Sequence, residues 1–355
     1  DSFILTSGST ILGTPALPGY TNFWTCNKPS CFLDNPFLAQ PIATPLSTTT
    51  YTVSVSQAGC TNTSVATVFV NMYVTLTVPL DGEVDYPYNA IILATLSEPL
   101  NISTLNTDTF WLWDWTAGNP FSWTGTSITY DTATQTAGLF HTNLTIGNTY
   151  QANLSSLLLS IYGNSLVSDY SFGFDAGGMD TTAPTIVSTT PSTPAPLNAL
   201  ITATYSEYLS PTSITGNTIT VYTGASIVTG TIAYDIPSMT IIFTPYNLLV
   251  STTTYTAVAR DARDLAGNIQ NPPSYSWIFT TGTALDITPP TVAGVYPTPG
   301  SSSIPSSVII SVTFSEPMIP LTINANTFYL LNPLGGRVAA TITYTASTNT
   351  AYLTP

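Results

Sequence analysis

Positive charge is almost missing from this chain. Its 355 residues include four basic side chains, Lys28, Arg260, Arg263 and Arg337, against eighteen acidic ones, for a formal net charge of −14. Such a surface cannot neutralise phosphates, which excludes nucleic acid as a partner. It gains nothing from an anionic lipid surface either. Charge of both signs together reaches only 6% of residues, against roughly 25% in an ordinary soluble domain. Histidine occurs once, as His141, with no nucleophile motif or acidic partner beside it, so no catalytic triad can be drawn. No apolar run approaches the ~18 residues of a membrane span, so no membrane insertion is expected in this segment. No convincing amphipathic helix is present. The start, Asp1-Ser2-Phe3-Ile4-Leu5, lacks the basic residues and cleavage site of a secretory signal and reads as a processed or interior piece.

Cysteine is also scarce. Cys26 and Cys31 are five residues apart and suit a small disulfide loop in an exported domain, while Cys60 is odd and expects a partner outside this chain. A zinc site would want four ligands, and neither a second cysteine pair nor a histidine stands near. Thr and Ser richness, low Lys and the sequons at Asn62, Asn101, Asn143 and Asn153 fit an extracellular or cell-surface protein. A Thr-rich chain also makes sequons by chance. A sheet surface with so few charges lacks the usual guards against edge pairing, so glycans or neighbouring copies of the chain are expected to cover it.

What the chain has in abundance is strand signal and repetition. Tyr51-Thr52-Val53-Ser54-Val55-Ser56 alternates apolar and hydroxyl residues with period two, as a half-buried strand does. Pro, Gly and Asn punctuate every 8–12 residues, the rhythm of antiparallel sandwiches. Ser97-Glu98-Pro99 returns as Ser315-Glu316-Pro317, with Ser206-Glu207-Tyr208 midway, 109 residues apart each time. A repeat of that length is one β-sandwich long. The third repeat is the fullest: Thr182-Ala183-Pro184, Tyr234-Asp235, Thr253-Thr254-Tyr255, Asp264-Leu265-Ala266-Gly267-Asn268 and Trp277-Ile278-Phe279-Thr280-Thr281 follow in order.

These landmarks resemble the bacterial Ig-like domain first described in S-layer proteins, over about residues 74–355. The loop Asp is absent from the second repeat, where Leu157 to Tyr162 stands instead. Residues 1–73 follow another pattern: Tyr20 to Trp24, Asn35-Pro36, Thr48 to Val55 and Gly59-Cys60. It is similar to the Ig/PKD-like repeat of large secreted bacterial surface proteins. The resemblance implies an all-β chain of tandem Ig-like sandwiches over 1–73, 74–180, 181–285 and 286–355, the first and last incomplete. Strands lent by neighbouring subunits are the alternative to a piece of a longer chain. It further implies that Cys60 pairs with a strand lying upstream of this sequence.

Three candidate sites follow. In an Ig-type sandwich the turn after the Ser-Glu strand and the Asp-loop lie at the end that receives the linker. That gathers Asp180, Glu207, Asp261, Asp264 and Asn268, a donor set that suits Ca²⁺ as a structural ion. The competing reading is an Asx turn with Arg260 and Arg263 neutralising the acids. Trp111, Trp113 and Trp115 share one strand face by period two; core or inter-module packing is expected, a subunit interface or glycan platform being the other role. Trp24 and Trp277 match positions that fill sandwich cores. Glu98, Glu207 and Glu316 recur once per repeat, which suits a turn role rather than an enzyme's carboxylate pair. The function expected is a structural segment of a bacterial extracellular fibre, sheath or surface layer, partnered by copies of itself and without catalytic activity. The alternative is an adhesin or carbohydrate-binding stalk that meets surface glycans.

Overall fold

The computed structural model describes residues 2–5, 10–27, 33–45, 48–58, 60–120, 127–324, 327–331, 338, 340–345 and 348–355. Strand is what they form: twenty-seven strands and three single-turn 3-10 segments, with no α-helix among the described residues. None of their helices is long and apolar enough to cross a membrane. By contact the chain divides into two compact units. One comprises Asp1–Val74, Leu96–Trp111 and Asn153–Ser171; the other comprises Thr75–Thr95, Leu112–Ala152 and Phe172–Pro355.

The first unit opens with a four-stranded sheet ordered Ser2–Leu5, Cys60–Val70, Thr49–Gln57, Thr21–Cys26, in which the first pair runs parallel. Alternation along Thr49–Gln57 turns Tyr51 and Val53 inward to Leu12, Trp24, Ala43, Ala66 and Val68. Trp24 fills the core as expected, and its indole N–H is satisfied by the Leu38 carbonyl at 3.0 Å.

Most of the second unit is built from paired four- and five-stranded sheets. Ile186–Thr190, Ile201–Tyr205, Thr240–Pro245 and Gly230–Asp235 form one antiparallel sheet; Ser226–Val228, Ile219–Thr223, Thr254–Arg260 and Ser274–Thr280 form another. Ile201, Ala203 and Tyr205 alternate inward on the first, and Val221, Tyr255, Ala257 and Phe279 are buried on the second. Tyr255 and Phe279 stack with centroids 5.4 Å apart. Trp277 is only half-buried, a correction to the core expectation. Phe279, two residues on, takes the interior position, and Trp277 lies at the rim with its indole N–H on the Thr190 carbonyl at 3.3 Å. The same strand order recurs in Val292–Tyr296, Ile310–Phe314, Thr350–Thr354 and Thr341–Thr345.

The recurrent Thr-x-Ser-Glu segment now has a residue-by-residue reading. Its Thr meets a Thr directly across the ladder: Thr95 with Thr136 at 2.8 Å, Thr204 with Thr240 at 2.9 Å, Thr313 with Thr350 at 3.1 Å. One threonine of each pair, Thr136, Thr240 and Thr350, is buried, so the pairing satisfies a hydroxyl that water does not reach. Its Ser fastens the opening strand. The hydroxyls of Ser97, Ser206 and Ser315 accept the N–H of Tyr73, Thr185 and Thr291 at 3.0, 3.0 and 2.9 Å. Their own N–H groups return a bond to the carbonyls of those three residues. Tyrosines close corners as in Ig sandwiches: Tyr150 accepts from Thr145 N–H at 2.9 Å and Tyr255 from Val250 N–H at 2.8 Å.

Removing the stacked ring at the centre of the Tyr255–Phe279 pair leaves a cavity that neighbouring strands cannot close. Phe279→Ala is expected to cost about 3–5 kcal/mol, and Ser206→Ala about 1 kcal/mol. Urea unfolding of the two variants beside the parent chain measures both.

Candidate functional site

The chain passes from one repeat to the next through an aspartate, and both passages in the second unit are built alike. Asn89 donates its amide N–H to the Asp180 carbonyl at 3.1 Å and accepts the Asp180 N–H at 2.9 Å. Asn198 does the same to Asp286, at 3.0 Å each way. One carboxamide thus satisfies both peptide groups of the linker residue, as a neighbouring strand would. Each aspartate then turns the chain with its own carboxylate, which accepts from Thr182 N–H at 2.8 Å and Thr288 N–H at 3.1 Å. At the first passage the following repeat also reaches back. Asn268 donates to the carbonyls of Thr182 and Asp180 at 3.1 and 3.4 Å, and Ile91 N–H donates to the Leu265 carbonyl at 3.0 Å.

Carboxylate oxygens of Asp180, Glu207 and Asp264 lie within 4.8 Å of one another at this first passage. Asp264 is buried and shapes its own loop: one oxygen accepts from the N–H of Ala266 and of Asn268 at 2.9 and 2.8 Å. The other accepts from the Asn268 side chain at 2.8 Å. The Asx turn is therefore present, but among the described residues neither arginine pairs with its acids. Arg260 bonds to Thr220 and Tyr222, and Arg263 to the Gly267 carbonyl. Asp261 stays outside the cluster because Ala262 takes the inward position and leaves Asp261 exposed. Asn268 turns its N–H₂ toward Asp264 and the linker carbonyls, as a donor rather than as an oxygen ligand. Burial, followed by the charges of Asp264 and Asp180, pushes the Glu207 carboxyl up to about 7. Burial also raises Asp264, with the Asn268 bonds opposing. Among the described residues no countercharge pairs with the three acids, and a hard cation would relieve them.

The equivalent glutamate in the first unit shows what the loop Asp changes. Glu98 is buried and accepts the Asn164 amide on both oxygens at 2.9 Å. Asn164 matches Asn268, but its loop has no aspartate to hold, so its amide goes to the glutamate. In the Asp264 loop the amide is taken by Asp264, and Glu207 is left among carboxylates.

The other sequence candidates are dispersed. Cys26 is disulfide-bonded and Cys31 lies outside the described residues. Cys60 is free and exposed. Asn62, Asn101 and Asn143 are exposed, and Asn153 is half-buried in a strand. His141 follows its strand rather than standing mid-strand. Its ring nitrogens lie 2.8 Å from the Thr142 carbonyl and 2.9 Å from that of Ala90. The tryptophan row is not core. In the strand Phe110–Asp114 it is Phe110, Leu112 and Asp114 that are buried; Trp111 and Trp113 are half-buried and Trp115 is 59% exposed. Both alternate sets are bulky, so period two alone could not choose the inward one. Asp114 decides it: it is held inside by bonds from Ala117 N–H and the Asn148 amide.

Residues 70–176, 180–281 and 286–355 match the family model described as bacterial Ig-like domain. The chain belongs to that family. No curated protein matches it. Among solved structures this bacterial Ig-like chain is similar to an I-band fragment of titin, at 9% identity over 79% of this chain and 94% of that one, with a TM-score of 0.24. It is similar to the N-terminal part of the bacterial S-layer protein SbsC, at 12% identity over 48% and 37%, TM-score 0.25. It is also similar to the first four immunoglobulin domains of Sidekick-1, at 11% identity over 100% and 88%, TM-score 0.24.

The raised acid gives a pH dependence with a fixed sign. A carboxyl raised by folding adds stability below its unfolded value, and that stability is lost as pH rises through the folded one. For Glu207 the window runs from its ordinary 4.5 to about 7. In chelator, thermal unfolding is expected to fall in temperature between pH 5 and pH 8, and Glu207→Gln is expected to flatten that slope.

Proposed function

We propose that this chain is a load-bearing stretch of a bacterial extracellular fibre, sheath or surface layer, non-catalytic and packed against copies of itself. Its modules are taken as 1–73, 74–180, 181–285 and 286–355. The observation that carries the reading is the doubled asparagine clamp on Asp180 and Asp286. A scaffold that transmits length needs joints with few free dihedrals, and a linker residue held at both peptide groups has lost most of that freedom. The hydroxyl ladders go with a surface of few charges, on which chains lie side by side with charge repulsion at few contacts. Exposed Asn62, Asn101 and Asn143 are the sequons a glycan would reach.

The acidic joint belongs to the same proposal. Ca²⁺ held by Asp180, Glu207 and Asp264 would cancel their mutual repulsion and tie the linker to both loops of the following module. Glu207, the one acid of the three with no hydrogen bond of its own among the described residues, gains most.

Two measurements test this. Electron micrographs of the native material should show filaments or a lattice; isolated single molecules at high concentration would contradict the structural role. At a hundredfold excess over Kd, calcium should stabilise by about 2.7 kcal/mol, and this gain should vanish in Glu207→Gln. Melting that is identical with Ca²⁺ and with chelator removes the ion from the proposal.

A further inference from the structure

The second compact unit carries an aromatic feature that the joint and the cores do not use. On the outer face of the Phe110–Asp114 strand, Trp113 and Trp115 stand with ring centroids 6.5 Å apart and planes at 63°. Trp115 is 59% exposed and Trp113 half-buried. The neighbouring strand Thr149–Leu154 shows its polar residues on this face, since Tyr150, Ala152 and Leu154 are all turned inward. The bond from Trp115 N–H to the Thr149 carbonyl, 3.0 Å, sets the register and puts Gln151 opposite Trp113. Next to it, Thr149 donates its hydroxyl to Asp175 at 2.6 Å. The face therefore offers two indoles edged by an amide, a hydroxyl and one carboxylate. No residue of the five strands in this sheet is basic.

We propose that this face is a binding platform for a single strand of neutral polysaccharide. The rings present flat π surfaces for the axial C–H groups of pyranose rings, and Asp175 presents an acceptor for their hydroxyls. Charge decides against the alternatives. Asp175 without a cation repels acidic polymers. Size decides too: two partly covered indoles supply well under the ~800 Å² per partner that a stable protein pair buries, whereas a polysaccharide strand is no wider than the row. This inference rests on an adhesive role added to the structural one proposed above. It does not involve the Asp180 joint.

The test is titration of the intact chain with cellohexaose, chitohexaose and hexagalacturonate, read by tryptophan emission and by calorimetry. One of the two neutral hexasaccharides is expected to bind, with little dependence on salt, and the acidic one not to bind. Trp115→Ala should weaken binding roughly tenfold, while its melting temperature stays within a degree or so of the parent because the side chain is outside the core. Failure of both neutral probes to bind overturns the proposal, as does equal binding by a Trp113→Ala, Trp115→Ala double variant. Concentration-dependent dimerisation that Trp115→Ala abolishes would assign the face to a second copy and would leave the filament reading standing.

Discussion

A sandwich that hands its chain to another must pass at least one residue whose peptide N–H and C=O have no strand beside them. Left to water, those groups let the linker swing. Here a single asparagine side chain from the preceding repeat satisfies both, at Asp180 and again at Asp286. Each bond is worth roughly 0.5–1.5 kcal/mol net, which is small for a domain but large for one hinge residue. Everything proposed about load and length depends on that pairing. So does the acidic cluster, because the clamp holds the Asp180 backbone where its carboxylate meets Glu207 and Asp264.

The unusual composition follows from the same economy of interactions. With 6% charged residues, the sheets cannot stabilise their outer faces by ion pairs. Threonine does it instead, by direct cross-strand hydroxyl contacts at Thr50–Thr67 and Thr254–Thr280, and the same pairing recurs with one partner buried at Thr190–Thr202 and in the recurrent motif. Threonine is also β-branched and favours strand on its own account. A surface built so carries few charges, and it makes the few places where charge does gather conspicuous.

Much of the fold was legible because the repeat is long and its landmarks are chemically distinctive. Thr-x-Ser-Glu, Tyr-Asp and Gly-Asn each recur, and each has a local job that spacing alone suggests. The all-β class and the family follow from them. The candidate site was legible only in part. The sequence brought Asp180, Glu207 and Asp264 together because topology puts their loops at one end. It could not tell that Ala262 would displace Asp261, nor that the Asn268 amide would point its nitrogen inward. Those choices depend on competition among near neighbours. The Trp111–Trp113–Trp115 face was misjudged for a related reason. Phe110 and Leu112 are as apolar as the tryptophans, and only Asp114, buried because Ala117 and Asn148 satisfy it, tips the strand. The clamps themselves went unnoticed, although Asn89 and Asn198 stand one repeat length apart.

Hydrogen exchange at the two linker amides tests the pairing most directly. If Asn89 and Asn198 hold Asp180 and Asp286, both N–H groups should be protected to an extent approaching the amides of the Ile201–Tyr205 strand, and Asn89→Ala should release Asp180 alone. Exchange of both linker amides at the rate of an unstructured peptide in the parent chain would contradict the account.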